Sequence, residues 1–438
     1  MGLVVAEQYD AIIIGAGIIG ASVGLELARR GWKTLNLDRL PAAGYGSTSA
    51  SCAIIRSHYS TLDGTALAFE GYQYWKNWAE HLGVVDDRGL AEFREVGCAI
   101  MKTEINGFMK SICANLDALN IAWEEWDNDK IMERLPIYDL RSYAPAKRMD
   151  DPGFGAATGP TMHGAVFTPE AGYITDPQLA SHNVQVAAEA AGATFRFNAD
   201  VTAIRREGDR VGGIMLADGA NVDTPVVVNV AGPHSAKVNQ MAGVADCMKI
   251  KTRALRQEVV HVPSPEGFDY MNHGPVISDS DIACYSRPEI GNHILFGSED
   301  PECDEREWVD PDDYNTEFTD QWQTQALRAG QRIPSLKISN RATGVVSLYD
   351  VTDDWIPIYD KSDLPGFYMA VGTSGNQFKN APVAGAMMAE LIINCQGGQD
   401  HDVDPVCFDY KYTKRQANIG FFSRNREINS DSSFTVLG

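Results

Sequence analysis

This sequence has no run of apolar residues approaching the roughly 20 that a membrane-spanning helix requires, although 44% of its 438 residues are hydrophobic. It has no Cys-x-x-Cys pair either. Cys52, Cys98, Cys113, Cys247, Cys284, Cys303, Cys395 and Cys407 are scattered, a spacing that indicates neither a zinc site nor a disulfide framework. Basic residues are in short supply, 37 Lys and Arg against 59 Asp and Glu, and the formal net charge is −22. That imbalance argues against nucleic acid or an anionic membrane as partner. An anionic substrate would have to be met by local cations, because screening over roughly 8 Å mutes the global field. Residues 1–9 lack the basic start and cleavage site of a signal peptide, so a cytoplasmic location is the expectation. There is no internal repeat and no low-complexity linker, and at this length two interleaved domains are the natural division.

What the sequence does have, close to its beginning, is a complete strand-turn-helix-strand signature. Ile12 to Ile14 suit a strand buried on both faces. Gly15 permits a tight turn, Gly17 lets backbone approach a pyrophosphate, and Gly20 lets the following helix, Ala21–Arg30, lie close to the strand. The helix start offers unpaired N–H groups and a positive dipole end to phosphates. Asp38 ends a second apolar strand at a spacing where its carboxylate can accept hydrogen bonds from a ribose diol. A dinucleotide-binding, Rossmann-like α/β domain is the expectation.

Further along, apolar residues at Ala68, Tyr72, Trp75, Ala79 and Leu82 predict an amphipathic helix over 67–82. Asp176-Pro177 predicts a capped helix start, with Gly192 ending the Ala-rich run. Phe195-Arg-Phe, Val201–Ile204 and Val211–Leu216 read as strands of one small sheet, and 225–232 as a buried strand running into a turn. Strand-like pieces at 258–261 and 293–296 surround an acidic loop near 299–313. A strand at 364–372 then precedes a helix at 382–394. The last ten residues, polar from Asn429 onwards, read as a loose tail.

Four separated segments share one pattern: the amino-terminal fingerprint, Gly46-Ser-Thr-Ser-Ala-Ser-Cys-Ala-Ile-Ile-Arg56-Ser-His-Tyr59, the block Arg341–Pro357, and Gly372-Thr-Ser-Gly-Asn-Gln-Phe-Lys379-Asn-Ala-Pro-Val-Ala-Gly385. Together they resemble the D-amino-acid oxidase superfamily of FAD enzymes, and within it the sarcosine oxidase and dimethylglycine dehydrogenase branch. The resemblance implies an α/β fold in which a Rossmann-like FAD-binding domain (1–85, 155–245 and 341–425) is interleaved with an α+β substrate domain (86–154 and 246–340). A mostly antiparallel sheet is implied for the latter, with 426–438 left as a tail. It implies extended FAD contacted by Gly15, Gly17, Ile18, Ile19, Gly20, Asp38 and Arg39, then by Ser47, Thr48, Ser49, Ala50 and Ser51. Val201, Ala231, Gly232, Gly344, Gly372, Ser374, Gly375, Asn376, Gln377, Phe378 and Lys379 complete the implied set.

By the same resemblance, Arg56 matches the arginine that holds a substrate carboxylate and Lys379 the lysine that shares the task; His58 and Tyr59 follow closely and could line the flavin ring. A guanidinium grips a carboxylate bidentately and a lysine adds a mobile point charge. The structural alternatives are an ion pair near the flavin phosphates for Arg56, a solvent-facing Lys379, and plain packing for His58 and Tyr59. The implied reaction is oxidation of the C–N bond of a small amino acid or N-methylated amino acid. Hydride passes to flavin N5, water hydrolyses the resulting imine, and oxygen or another electron acceptor takes the electrons. The alternatives are deamination of glycine or a D-amino acid, a hydroxyl substrate such as glycerol 3-phosphate, a subunit that carries FAD within a heteromeric amine dehydrogenase, and an NAD-dependent dehydrogenase.

Four positions depart from the family pattern. Ser347 stands where covalent members have the cysteine that attaches the flavin, so FAD is expected to be non-covalent unless a histidine elsewhere is the attachment point. If the reference glycine is Gly297, Leu295 stands where monomeric oxidases have their oxygen-activating lysine. Gln377 replaces a glycine, and His234 replaces a tryptophan in a change read as packing.

Overall fold

The Ala-Ile-Ile-Ile strand Ala11–Ile14 is buried along its whole length and pairs in parallel with Thr34–Leu37 on one side and Val227–Asn229 on the other. A strand with no polar face needs cover above and below, which a parallel sheet between helices provides. Thr194–Arg196 and Phe367–Val371 extend this sheet in parallel, and Ile358–Lys361 closes it antiparallel as the sixth strand. On one face the helix Ile18–Arg29 packs between Pro177–Ala190 and Ala381–Gln396. The computed structural model describes residues 8–107 and 109–438; of the opening segment read above, 1–7 lie outside them.

The second sheet has nine strands. Gly344–Thr352 pairs with Thr252–Pro263, whose other neighbours are Trp308–Val309 and His293–Ser298. Beyond His293–Ser298 come Cys284–Glu289, Val276–Asp279, Cys98–Met101, Ala165–Thr168 and Glu124–Trp126. Only the junction of Val276–Asp279 with Cys98–Met101 is parallel, so the α/β architecture with a mostly antiparallel second sheet is present. Ala165–Thr168 and Gly344–Thr352 lie in this sheet although the sequence reading grouped them with the nucleotide domain. Each pairs with a strand that lies far along the chain, and nothing local names that partner.

Three local expectations need correction. The helix expected over 67–82 begins at Leu62, capped by Thr61, and breaks at Asn77 into Leu62–Lys76 and Trp78–Leu82. Thr194–Arg196 joins the six-stranded sheet, while Val201–Glu207, Arg210–Leu216 and Asn221–Asp223 form a separate antiparallel sheet. The segment from Asn429 is docked: Ser432 Oγ donates to the Asp354 carbonyl at 2.5 Å and Arg306 Nη2 to the Phe434 carbonyl at 2.7 Å. Val436 packs with Leu255, Tyr285, Val351 and Trp355. Among the described residues no helix is long and apolar enough to cross a membrane, and all eight cysteines are free.

Candidate functional site

A cavity of about 870 Å³ runs from the glycine turn to the segment ending at Lys379. At one end Gly15 has φ +114°, and a Cβ there would overlap the Val230 carbonyl oxygen. A Cβ on Gly20 would overlap the carbonyl oxygen of Gly15. Gly17, the residue before the helix Ile18–Arg29, supplies no side-chain cap; Thr48 Oγ1 instead accepts from Ile18 N at 3.1 Å. Asp38 ties this end together, accepting from Ala16 N at 2.8 Å and Leu40 N at 2.9 Å. A carboxylate has about four acceptor positions, so lone pairs remain for a diol. The cradle thus has the bare backbone, helix end and acidic side chain that an adenine dinucleotide needs.

Ile18, Ile19, Ser47, Thr48, Ser49, Ala50 and Ser51 line this cavity together with Val201, Ala231 and Gly232. Arg39 and His234 also border it, both bonded to Asp312, at 2.7 Å and 3.0 Å. His234 is therefore a polar cavity residue and not packing. Its ring reaches a loop carboxylate contributed by a distant part of the chain, which sequence adjacency cannot show. Burial, then the Arg39 charge, holds His234 below the usual imidazole range.

At the other end Gly375, Asn376, Gln377, Phe378, Lys379 and Arg56 all line the cavity. Gly344, Gly372 and Ser374 do not. The last two shape the wall from behind: Gly372 N donates to Asp350 Oδ2 at 2.6 Å and Ser374 N to the Asp350 carbonyl at 2.6 Å. Ser235 Oγ adds a 2.9 Å bond to the same carboxylate. Asp350 went unmarked in the sequence, although it stands inside the Arg341–Pro357 block; no feature of that block distinguishes a carboxylate that organises a loop from one that faces water.

Burial raises Asp350 to about 7, against the lowering effect of its hydrogen bonds. Glu299 is likewise raised to about 7 by burial. In the window between the usual carboxylate range and pH 7 the folded chain therefore holds protons that the unfolded chain has released. The stability these groups contribute is complete at the acidic end of that window and is lost as pH rises through about 7. The thermal midpoint is expected to fall between pH 5 and pH 8, and Asp350→Asn, which keeps an acceptor for Gly372, is expected to flatten part of that fall. A calorimetric pH series checks this, and an identical slope in the variant would contradict it.

Tyr59 and His58 sit behind the cavity wall and do not line it. The Tyr59 ring lies between the two cations, 4.6 Å from the Arg56 guanidinium carbon and 5.2 Å from Lys379 Nζ. Its hydroxyl donates to the Asn376 carbonyl at 2.9 Å and accepts from Lys379 Nζ at 3.0 Å. Burial pushes Tyr59 up to about 12, so it stays a phenol. His58 is buried, its ring nitrogens have no partner among the described residues, and burial with the Arg56 and Lys379 charges holds it well below the usual imidazole range. Lys379 is 3% exposed, which removes the solvent-facing alternative. Burial, then the Arg56 charge, holds its amine well below the usual lysine range. Among the described residues neither Arg56 nor Lys379 has a carboxylate partner: Arg56 donates to the carbonyls of His58, Val436 and Leu437, and Lys379 to Tyr59 and the Asn376 carbonyl. The structural ion pair considered for Arg56 is therefore not formed.

The remaining wall comes from the nine-stranded sheet, through Gln257, Val259, Tyr285, Ser347 and Tyr349. Tyr285 reaches the cavity because Gly297 on the neighbouring strand has no side chain; a Cβ there would overlap the tyrosine ring. Leu295 is buried but does not line the cavity. Tyr285 and Tyr349 are linked at 3.3 Å between hydroxyls, and sequence alone gave no reason to single them out.

Comparison with known proteins agrees with this geometry. The family described as "DAO: FAD dependent oxidoreductase" matches residues 10–391. FAD-dependent oxidoreductase domain-containing protein 1 of Xenopus laevis is 24% identical over 89% of this chain and 80% of its own length. Sarcosine oxidase subunit beta of Rhodobacter capsulatus is 25% identical over 88% of this chain and 85% of its own. Among solved structures, L-proline dehydrogenase from P. horikoshii superposes with a TM-score of 0.73 at 21% identity, covering 89% of this chain and 95% of that one. A match spanning both sheets, together with a cradle that fits the dinucleotide, establishes that this chain belongs to the DAO family of FAD-dependent oxidoreductases and takes FAD as its cofactor.

Proposed function

We propose that the chain oxidises the C–N bond of a small amino acid or N-methylated amino acid, with Arg56 and Lys379 holding the substrate carboxylate. The observation that carries this reading is a pair of buried basic side chains, Arg56 and Lys379, at the end of the FAD cavity with no anionic partner among the described residues. A buried charge left uncompensated is costly, and a carboxylate would supply what both lack. Bound FAD supplies the acceptor for a hydride from the C–H beside nitrogen. The protein's own contribution is placement and charge. Arg56 fixes the carboxylate plane, and Lys379 Nζ, held toward its neutral form, takes up a proton as the anion arrives. The adjoining helix Ala381–Gln396 starts at Asn380 with no side-chain cap and offers its positive end to charge that builds up nearby. Ser347 on the cavity wall cannot form a thioether, which favours non-covalent FAD.

Anaerobic mixing of the FAD-loaded protein with sarcosine, dimethylglycine, proline, glycine and D-alanine tests the reading. Bleaching of the yellow absorbance by at least one of them is the expected result. The likeness to a sarcosine oxidase subunit beta supports a second reading, an FAD-carrying subunit of a larger enzyme; an unchanged spectrum with every amine would favour it and reject turnover by this chain alone.

A further inference from the structure

We propose that the segment Phe434–Gly438 is an autoinhibitory strap that occupies the carboxylate site and must leave Arg56 before a substrate carboxylate can bind there. The inference rests on the proposed role of Arg56. Arg56 Nη2 donates to the Val436 carbonyl at 3.1 Å and the Leu437 carbonyl at 2.6 Å, and Nη1 donates to the His58 carbonyl. Ser60 N donates to the Gly438 carbonyl at 3.0 Å, and Gly438 lies so close to Tyr59 that a Cβ would overlap the ring. Val436 and Leu437 both line the cavity that leads to the dinucleotide cradle. With these carbonyls in place Arg56 is 6% exposed and Nη2, which belongs to both edges of the fork, is bonded twice over.

The arrangement is suited to exchange. A neutral peptide carbonyl is a weaker partner for a guanidinium than a carboxylate, which brings an opposite charge and can accept two parallel bonds. The chain just ahead of the segment is held outside the site by the Ser432–Asp354 bond, so residues 434–438 can swing away without that anchor detaching. The strap therefore reduces carboxylate affinity by the fraction of time it is open. Closure for about nine-tenths of the time weakens apparent affinity about tenfold.

The test is calorimetric titration of FAD-loaded protein with acetate, comparing the full chain, a variant lacking residues 434–438, and Val436→Asn, which unseats the apolar contact without shortening the chain or adding an anion beside Arg56. Hydrogen exchange of residues 429–438 in the full chain, with and without saturating acetate, is a readout independent of any variant. We expect about tenfold tighter acetate binding in both variants and faster exchange of the segment when acetate is bound. Equal affinity in all three proteins with unchanged exchange would overturn the strap. Arg56→Ala in the shortened chain separates the two readings. Loss of acetate binding there, with no gain from shortening, leaves the role of Arg56 standing and rejects the strap. Undiminished acetate binding rejects the role of Arg56 and the strap with it.

Discussion

Arg56→Ala is expected to raise KM for a carboxylate-bearing amine about ten- to hundredfold while leaving kcat within a few-fold, because a bidentate charged contact contributes about 1.5–3 kcal/mol. The split follows from what the contact does. A carboxylate whose charge does not change as the C–H bond breaks is gripped equally in the ground and transition states, so its loss appears in binding. Arg56→Lys is expected to recover only part of the loss, since an ammonium offers a point charge without the planar fork. Arg56 also holds the carbonyls of Val436 and Leu437. In the full chain the variant also frees the segment, so the ten- to hundredfold range is that of a chain without residues 434–438 and the net rise in the full chain is up to about tenfold smaller. Steady-state kinetics on whichever amine bleaches the flavin measures this. Unchanged KM in both the full chain and the chain without residues 434–438 would reject the anchor and leave the FAD fold intact.

The second large effect is expected at the other end of the cavity. Gly20→Val is expected to give protein that purifies without yellow colour and does not regain it when FAD is added. A Cβ at this position would overlap the carbonyl oxygen of Gly15, and the overlap can be relieved only by breaking packing. Gly15 is held by its own N–H bond to the Leu37 carbonyl, and Gly20 accepts from Asn36 Nδ2 at 2.8 Å. The helix must shift off the strand, taking its N–H groups away from the phosphate position. Overpacking of this kind costs about 1–3 kcal/mol in stability, so a lowered thermal midpoint should accompany the lost cofactor. Retention of stoichiometric FAD, measured by absorbance after gel filtration, would contradict the assignment of this turn as the dinucleotide cradle.

What the sequence determined on its own was whatever a short stretch of chain encodes in its own geometry. The turn at Gly15–Gly20, the acid at Asp38 and the capped start at Asp176-Pro177 need only their neighbours to be read, because strand, turn and helix preferences act over a few residues. Family resemblance placed Arg56 and Lys379 together, and the structure brings them to one tyrosine ring. Tertiary structure alone decided the rest. Asp350 organises the Gly372–Ser374 turn from another strand, Tyr285 enters the cavity through the gap at Gly297, and His234 meets Asp312 across the cavity mouth. Each depends on which distant strands pair, and side-chain periodicity fixes the face of a strand but not its partner. The segment after Asn429 was the least legible of all. It binds Arg56 through main-chain carbonyls, which every residue carries, so no choice of side chain could announce the contact.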